Sequence, residues 1–383
     1  MTEVFDVTPA DETVADEVGS TNGIPTPVDY LVHVARSRQL VMLADRRGVT
    51  EHLRVLQDAV APLHEAGITN LAWEFTNSRR QDDLDTITTA ERWDRRAAIE
   101  LFVDLLGIGH GYEDYLDVIH AVWNLNQDLA PDVAPFRLLG LGLATYVEDP
   151  DLLEGRSAGE TSLRNWWMGG HYRDISASHM ANIITAEIIR SGQRGVVYCD
   201  TSRTNTRFVE WIDDQVSLSP GNLLHNWMGD GVARLVFHGA IDDDEALVRI
   251  EQLVAASPDP ETSFGLDLAS STLGGIRLHG LHGSLGGADR SFDLEDIADG
   301  YLFVSARASW TRAKLIPDML DPTTIEAAER RYRALDPRDT PYSLDELEEI
   351  RARGHDAMRD GWPEDPSVEE EPAGKKKGIF RRS

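Results

Sequence analysis

Along the chain, short continuous apolar runs alternate with longer stretches whose apolar residues recur every three or four positions. That is the pattern of an α/β fold. Leu40-Val41-Met42-Leu43 is the first run, and it stops at Ala44-Asp45-Arg46-Arg47-Gly48. Thr50 stands where a helix cap belongs, before Leu53, Leu56, Val60 and Leu63 at helical spacing, with Gly67 as the stop. Ile68 to Phe75 is the second run, interrupted near its end by Glu74. A strand–helix–strand crossover predicts that the two runs lie side by side in a parallel sheet. A carboxylate in an apolar strand is costly unless paired. Ligands of parallel sheets gather outside the carboxyl ends of the strands, so Asp45 and Glu74 mark the first candidate site.

The rest of the pattern extends the same architecture. Helices are predicted over Val28 to Arg38, Ala90 to Leu106, Tyr112 to Leu125, the stretch carrying Met180, Ile183, Ile184 and Ile188, a short segment ending at Met228, and Asp243 to Ala256. Phe136 to Leu143, Gly195 to Cys199, Val232 to His238 and Ala298 to Val304 read as strands. The polar stretch Ser78 to Ala90, the acidic stretch Ala144 to Ser162 and the glycine-rich Gly274 to Gly287 read as loops, the last with spacing that fits no phosphate or dinucleotide fingerprint. Two further helices, Thr323 to Leu335 and Ser343 to Met358, follow, the second opened by a capping box of Ser343 and Glu346. The expected organisation is an acidic arm over 1–27, an α/β domain over 28–318, C-terminal helices over 319–360 and a disordered tail over 361–383. The fold class is α/β: a mixed, largely parallel central sheet with helices on both faces, the helices near 90–125 forming a cap over it.

Charge narrows the function classes. Asp and Glu outnumber Lys and Arg by 66 to 37, for a formal net charge of -29. Such a field repels phosphate backbones, which argues against a general nucleic-acid-binding role. No apolar run approaches the roughly 20 residues that span a bilayer. The acidic, turn-rich start has neither a basic end nor an apolar signal core, so the expected location is the cytoplasm. Cys199 is the single cysteine, which excludes an internal disulfide and a multi-thiolate zinc site; at the end of an apolar strand it reads as core.

The order of segments resembles the superfamily of erythromycin-esterase-like, ChaN-like haem-binding and Tiki-type proteins. In that superfamily a first strand ends in Gly-Glu followed closely by His, then come a helix and a strand ending in Glu. VMLADRRGVTEHLRVLQDAVAPLHEAGITNLAWEF is similar in layout, as are DVIHAVWNLNQ before FRLLGLGL, RDISASHMANII, SPGNLLHNWMGDGVARLVFHG and ADGYLFV. The resemblance covers roughly Val28 to Trp310. It implies an esterase- or hydrolase-like activity on a small molecule or modified peptide. This chain departs at the histidines: Asp45 replaces the first glutamate, Arg47 stands near the expected His, and Asp200 and Arg203 occupy the late His pair, while Glu74 is kept. Arginine is neither a base nor a metal ligand at neutral pH.

Taken together, these positions predict a carboxylate–arginine pocket. Asp45, Glu74, Asp200 and His171 are the candidate catalytic residues, with Arg47, Arg173, Asp174 and Arg203 as candidate substrate contacts. His179 is the next histidine after His171 to consider. Three chemistries compete for such a cluster: a structural ion-pair network, a hard divalent cation on the carboxylates, or an anionic substrate on the arginines with one carboxylate as base. The metal is therefore left open, and haem, for which Trp73, Trp166 and Trp167 would supply a wall, is the less favoured group. The partner is a small-molecule or peptide substrate, and the oligomeric state stays open. The competing function is a catalytically inactive member that binds a ligand or a protein.

Overall fold

The computed structural model describes residues 25–103, 111–143, 170–212, 215–241, 243–257, 259, 262–279, 283–284, 292–335, 338 and 340–357. The expected acidic arm up to residue 24, the loop at 144–162, Trp166, Trp167 and the tail at 361–383 lie outside them.

The core is a seven-stranded sheet in the order β3-β2-β4-β1-β7-β12-β8. Its strands are β1 (Leu40–Asp45), β2 (Asn70–Asn77), β3 (Arg137–Gly142), β4 (Gly195–Asp200), β7 (Val232–Phe237), β8 (Phe264–Asp267) and β12 (Gly300–Phe303). All pairings are parallel except that of β8 with β12, which is antiparallel. Every residue of β1 is buried, because both of its faces are covered; this is why the strand reads as a continuous apolar run rather than an alternating one. Val41 and Leu43 face a large cluster shared with the helices α1 (Pro27–Ser37), α2 (Thr50–Glu65), α4 (Arg95–Val103) and α5 (Glu113–Asp128). Leu40 and Met42 face a smaller one with Met180, Ile184, Ile188 and Leu224, which come from α6 (Gly170–Ile184), the π-turn after it, and α8 (Pro220–Met228).

Three local expectations are corrected. β1 and β2 are not neighbours, since β4 pairs with both and lies between them; a crossover fixes handedness and direction, not adjacency. Ser78 to Ala90 is not a loop but a 3-10 turn followed by α3 (Gln81–Thr89), which buries Leu84, Ile87 and Thr88 beneath a polar face. Thr50 is the first helical residue rather than the cap: Val49 takes the cap position with no side-chain bond, and the Thr50 amide donates to Thr311 O at 2.9 Å.

Elements without a strong apolar signal complete the molecule. A one-turn helix, α7 (Thr201–Thr204), follows β4, and β5 (Val209–Ile212) and β6 (Gln215–Ser217) form a hairpin joined by β10 (Gly283–Ser284). The expected glycine-rich loop instead holds β9 (Arg277–Leu278), which pairs with β11 (Phe292–Asp293) beyond it, and the single turn α10 (Leu294–Ile297) follows. The helix after β7 is α9 (Asp244–Ala255). The C-terminal helices α11 (Ile325–Leu335) and α12 (Leu344–Ala357) contribute Ala328 and Leu347 to the large core cluster. The capping box of Ser343 and Glu346 closes α12 at 2.8 and 3.3 Å. No helix among the described residues is long and apolar enough to cross a membrane.

Candidate functional site

The carboxyl ends of β1, β2 and β4 bring together Asp45, Glu74 and Asp200, three residues that the strand pattern singles out. Asp45 and Asp200 are register partners at the ends of adjacent strands. Glu74 is buried, and its Oε1 accepts the Asp200 amide at 2.6 Å. Arg47, on the turn after β1, lies 3.5 Å from Glu74 Oε1 and 3.5 Å from Asp200 Oδ2, with a side chain 37% exposed. Burial works against the Arg47 cation, but Glu74 and Asp200 outweigh it and push its pKa further up. Burial likewise opposes the Asp200 charge, yet Arg47 and two hydrogen bonds from Ser202, at 3.1 and 3.0 Å, hold its carboxyl below the ordinary range. Arg203, one residue beyond Ser202 on α7, adds a further favourable charge near Asp200. Glu74 Oε2 makes no hydrogen bond among the described residues.

Asp45 faces a different partner. His52, in the first turn of α2, brings Nδ1 to 3.2 Å from Asp45 Oδ1. With a carboxylate as the acceptor, Nδ1 is the donor in this contact. The ring is fully buried, stacked on Phe237 at 4.3 Å and edge-on to Trp310 at 5.6 Å. Sequence reasoning passed over this pair, although seven residues of turn and helix start suffice to fold His52 back over the end of β1.

The polar atoms around this strand end are left unusually unpaired. Asp45 Oδ2, His52 Nε2 and the hydroxyls of Tyr115 and Tyr198 are four of the twelve buried side-chain polar atoms without a well-aligned hydrogen-bond partner among the described residues, the Tyr198 hydroxyl lying near enough to Asp45 to donate to it after a small shift. The Tyr198 hydroxyl is close enough to Asp45 for the carboxylate to oppose its ionisation, and Tyr115 lies beside Asp45 and Arg47. Burial is the larger cause, and it pushes both phenols well above their usual range. Each unpaired group costs about 1–3 kcal/mol, so a concentration of four marks a place where water or a ligand group belongs.

The end of β2 is bent. Its register with β3 shifts between Trp73 and Asn77, the kind of irregularity that re-aims side chains beside active sites. Gly140 permits it, because a Cβ there would stand 2.8 Å from Thr76 Oγ1 and 3.0 Å from the Thr76 carbonyl. The Trp73 indole donates to Thr76 Oγ1 at 2.8 Å, and Asn77 Oδ1 accepts the Arg79 amide at 3.0 Å. Just past the bend, Ser78 Oγ lies 2.9 Å from His179 Nε2 on α6. Burial lowers the His179 pKa.

A second polar cluster sits at the ends of β7 and β12. Tyr301 donates to His238 Nδ1 at 2.5 Å, and His238 Nε2 lies 3.1 Å from Glu251 Oε1. Arg307 reaches Glu251 Oε1 at 3.1 Å and Asp244 at 2.9 Å. Burial opposes the Glu251 charge, but hydrogen bonds from His238 and Arg307 bring its pKa down to about 2. The His238 pKa is lowered chiefly by burial.

The other predicted residues divide as follows. The backbone at His171, Arg173 and Asp174 belongs to α6, but their side chains lie outside the described residues. Cys199 is buried and its thiol is pushed well up by burial, as a core residue requires. Trp73 is fully buried among Phe75, Phe102 and Tyr115 rather than lining a cofactor pocket. Among the described residues no group of three or more His, Cys, Asp and Glu side chains is arranged to hold a metal ion: Arg47 lies between Glu74 and Asp200, and Asp45 turns to His52.

No family model and no curated protein matches the chain. Solved structures do, at low identity. A succinoglycan biosynthesis protein is 12% identical with a TM-score of 0.55, matching 80% of this chain and 98% of its own. A Bacillus cereus protein is 9% identical with a TM-score of 0.50, over 82% of this chain and 100% of its own. A mutant of the erythromycin esterase EreC in its open conformation is 10% identical with a TM-score of 0.50, over 74% of this chain and 94% of its own. The chain therefore shares the α/β fold of these proteins.

Proposed function

We propose that the protein is a divergent hydrolase of the esterase-like kind, acting on a small molecule or modified peptide at the carboxyl ends of β1, β2 and β4. The observation that carries this reading is Glu74. A carboxylate buried at a strand end is held by the Asp200 amide and Arg47 through one oxygen, and its other oxygen makes no hydrogen bond among the described residues. A fixed carboxylate with one free oxygen is equipped to take a proton from water or a substrate group. Arg47 balances the charge of Glu74 and Asp200 from 3.5 Å, through contacts long enough to leave its guanidinium able to meet a substrate group as well. The unpaired hydroxyls of Tyr115 and Tyr198 and the free oxygen of Asp45 offer hydrogen bonds to whatever occupies the site. The fold shared with an erythromycin esterase supports the class, not the substrate.

Purified protein assayed against generic esters and phosphoesters tests this. Glu74→Gln should lower kcat/KM at least about 100-fold, the scale of a lost general base, with unfolding stability changed by no more than about 1–2 kcal/mol. A folded protein with no turnover of any such substrate would sink the hydrolase reading. It would favour the second one, an inactive member that binds a ligand or protein, which the Arg47 ion pairs across Glu74 and Asp200 also support.

A further inference from the structure

The geometry points to Ser78 and His179 as a nucleophile–base pair for acyl transfer, forming an ester intermediate at the same sheet edge. The inference rests on the hydrolase reading and adds a covalent step to it. Ser78 stands where β2 leaves the sheet, passes through a tight turn and enters α3. That strand–turn–helix context lifts a side chain above the sheet edge. The bend that Gly140 admits, together with the Asn77 side-chain bond to the Arg79 amide, fixes the turn. The Ser78 hydroxyl is half-buried and lies 2.9 Å from His179 Nε2, within the reach that a base needs to take a serine proton. Only burial moves the His179 pKa, and it moves it down, so the imidazole stays neutral and able to accept a proton at pH 7. His179 Nδ1 has no hydrogen bond among the described residues. Among the described residues the unit is a dyad without an orienting acid, and on that arrangement its rate should fall short of a full triad.

The chemistry balances without any further reactant. Ser78 Oγ attacks the ester carbonyl carbon as its proton passes to His179 Nε2. Collapse of the tetrahedral adduct breaks the bond to the leaving oxygen, which takes that proton and departs as the alcohol. Water, deprotonated by the same nitrogen, then attacks the acyl carbon, releasing the acid and restoring Ser78. The substrate class is an ester with an accessible carbonyl rather than a phosphate monoester.

Whole protein treated with a fluorophosphonate probe and read by intact mass and peptide mapping tests the pair. One adduct on Ser78 is expected, absent in Ser78→Ala and formed about 100-fold more slowly in His179→Gln, with p-nitrophenyl acetate giving a burst that both variants lose. Because both side chains are only partly buried, circular dichroism should show both variants folded. No adduct at Ser78, or one that forms equally fast in His179→Gln, overturns the proposal. Ester turnover that survives Ser78→Ala but is lost in Glu74→Gln would overturn it too, while leaving the Glu74 reading intact. Labelling of Ser78 with turnover indifferent to Glu74→Gln would do the reverse.

Discussion

Two polar clusters lie at the carboxyl edge of one sheet, and they differ in what they leave unpaired. Both ring nitrogens of His238 have partners, and Tyr301, Glu251 and Arg307 close a chain that ends at Asp244. Around Asp45, among the described residues, the carboxylate, imidazole and two phenols each keep a polar atom without a well-aligned partner. A satisfied buried network holds elements together and offers nothing to a visitor. An unsatisfied one costs stability, a cost retained where binding or catalysis benefits. The contrast fits a structural joint at the β7–β12 end and is the reason the proposed site is put at the β1–β2–β4 end.

The largest test of the contrast removes a member of the satisfied network. Glu251→Ala leaves Arg307, whose side chain is 8% exposed, with Asp244 as its one charge partner among the described residues. A loss of about 3–4 kcal/mol is expected by urea unfolding. Acid titration should probe the same residue. The unfolded Glu251 carboxyl titrates near 4.5 and the folded one near 2. Between those values the unfolded state binds more protons, so stability falls as pH drops through the window, by at most about 3 kcal/mol in all. His238 adds a shallower loss that begins near 6.5, since the buried imidazole resists protonation. The steep limb should vanish in Glu251→Ala. A smaller effect, about 1–2 kcal/mol, is expected for Tyr301→Phe, which strands a buried His238 nitrogen. The smallest belongs to the unsatisfied side: Tyr115→Phe should stay within about 0.5 kcal/mol of the parent or rise above it, because it removes an unpaired hydroxyl. Losses equal to that of Tyr301→Phe would erase the distinction between the two clusters.

The sequence made the central strands legible because β1, β4 and β7 are buried on both faces and read as unbroken apolar runs. It concealed β8 and the β5–β6 hairpin, which are short and carry little apolar signal, and α3, whose buried face is only Leu84, Ile87 and Thr88. Strand order was out of reach for a different reason. The pairing of β4 with both β1 and β2 is long-range and leaves no local mark. The site divides the same way. Strand-end carboxylates announce themselves by sitting where apolar runs stop, so Asp45, Glu74 and Asp200 were visible. The His238 cluster draws its members from β7, α9 and the β12 end, and Ser78 meets His179 across α6; neither juxtaposition has a periodicity to betray it.

The place of β4 also bears on how the molecule is made. β1 and β2 leave the ribosome early, joined by a helix that favours their direct contact, while the strand destined to separate them is not synthesised until Gly195–Asp200. A nascent chain thus carries two complementary apolar edges with nothing yet between them, and non-local pairings of this kind are slow and prone to error. Truncation before residue 195 should leave an aggregating fragment, and slow refolding should reflect escape from premature β1–β2 pairing. The edge that gathers Asp45, Glu74 and Asp200 cannot form until the chain has grown past residue 200 of 383.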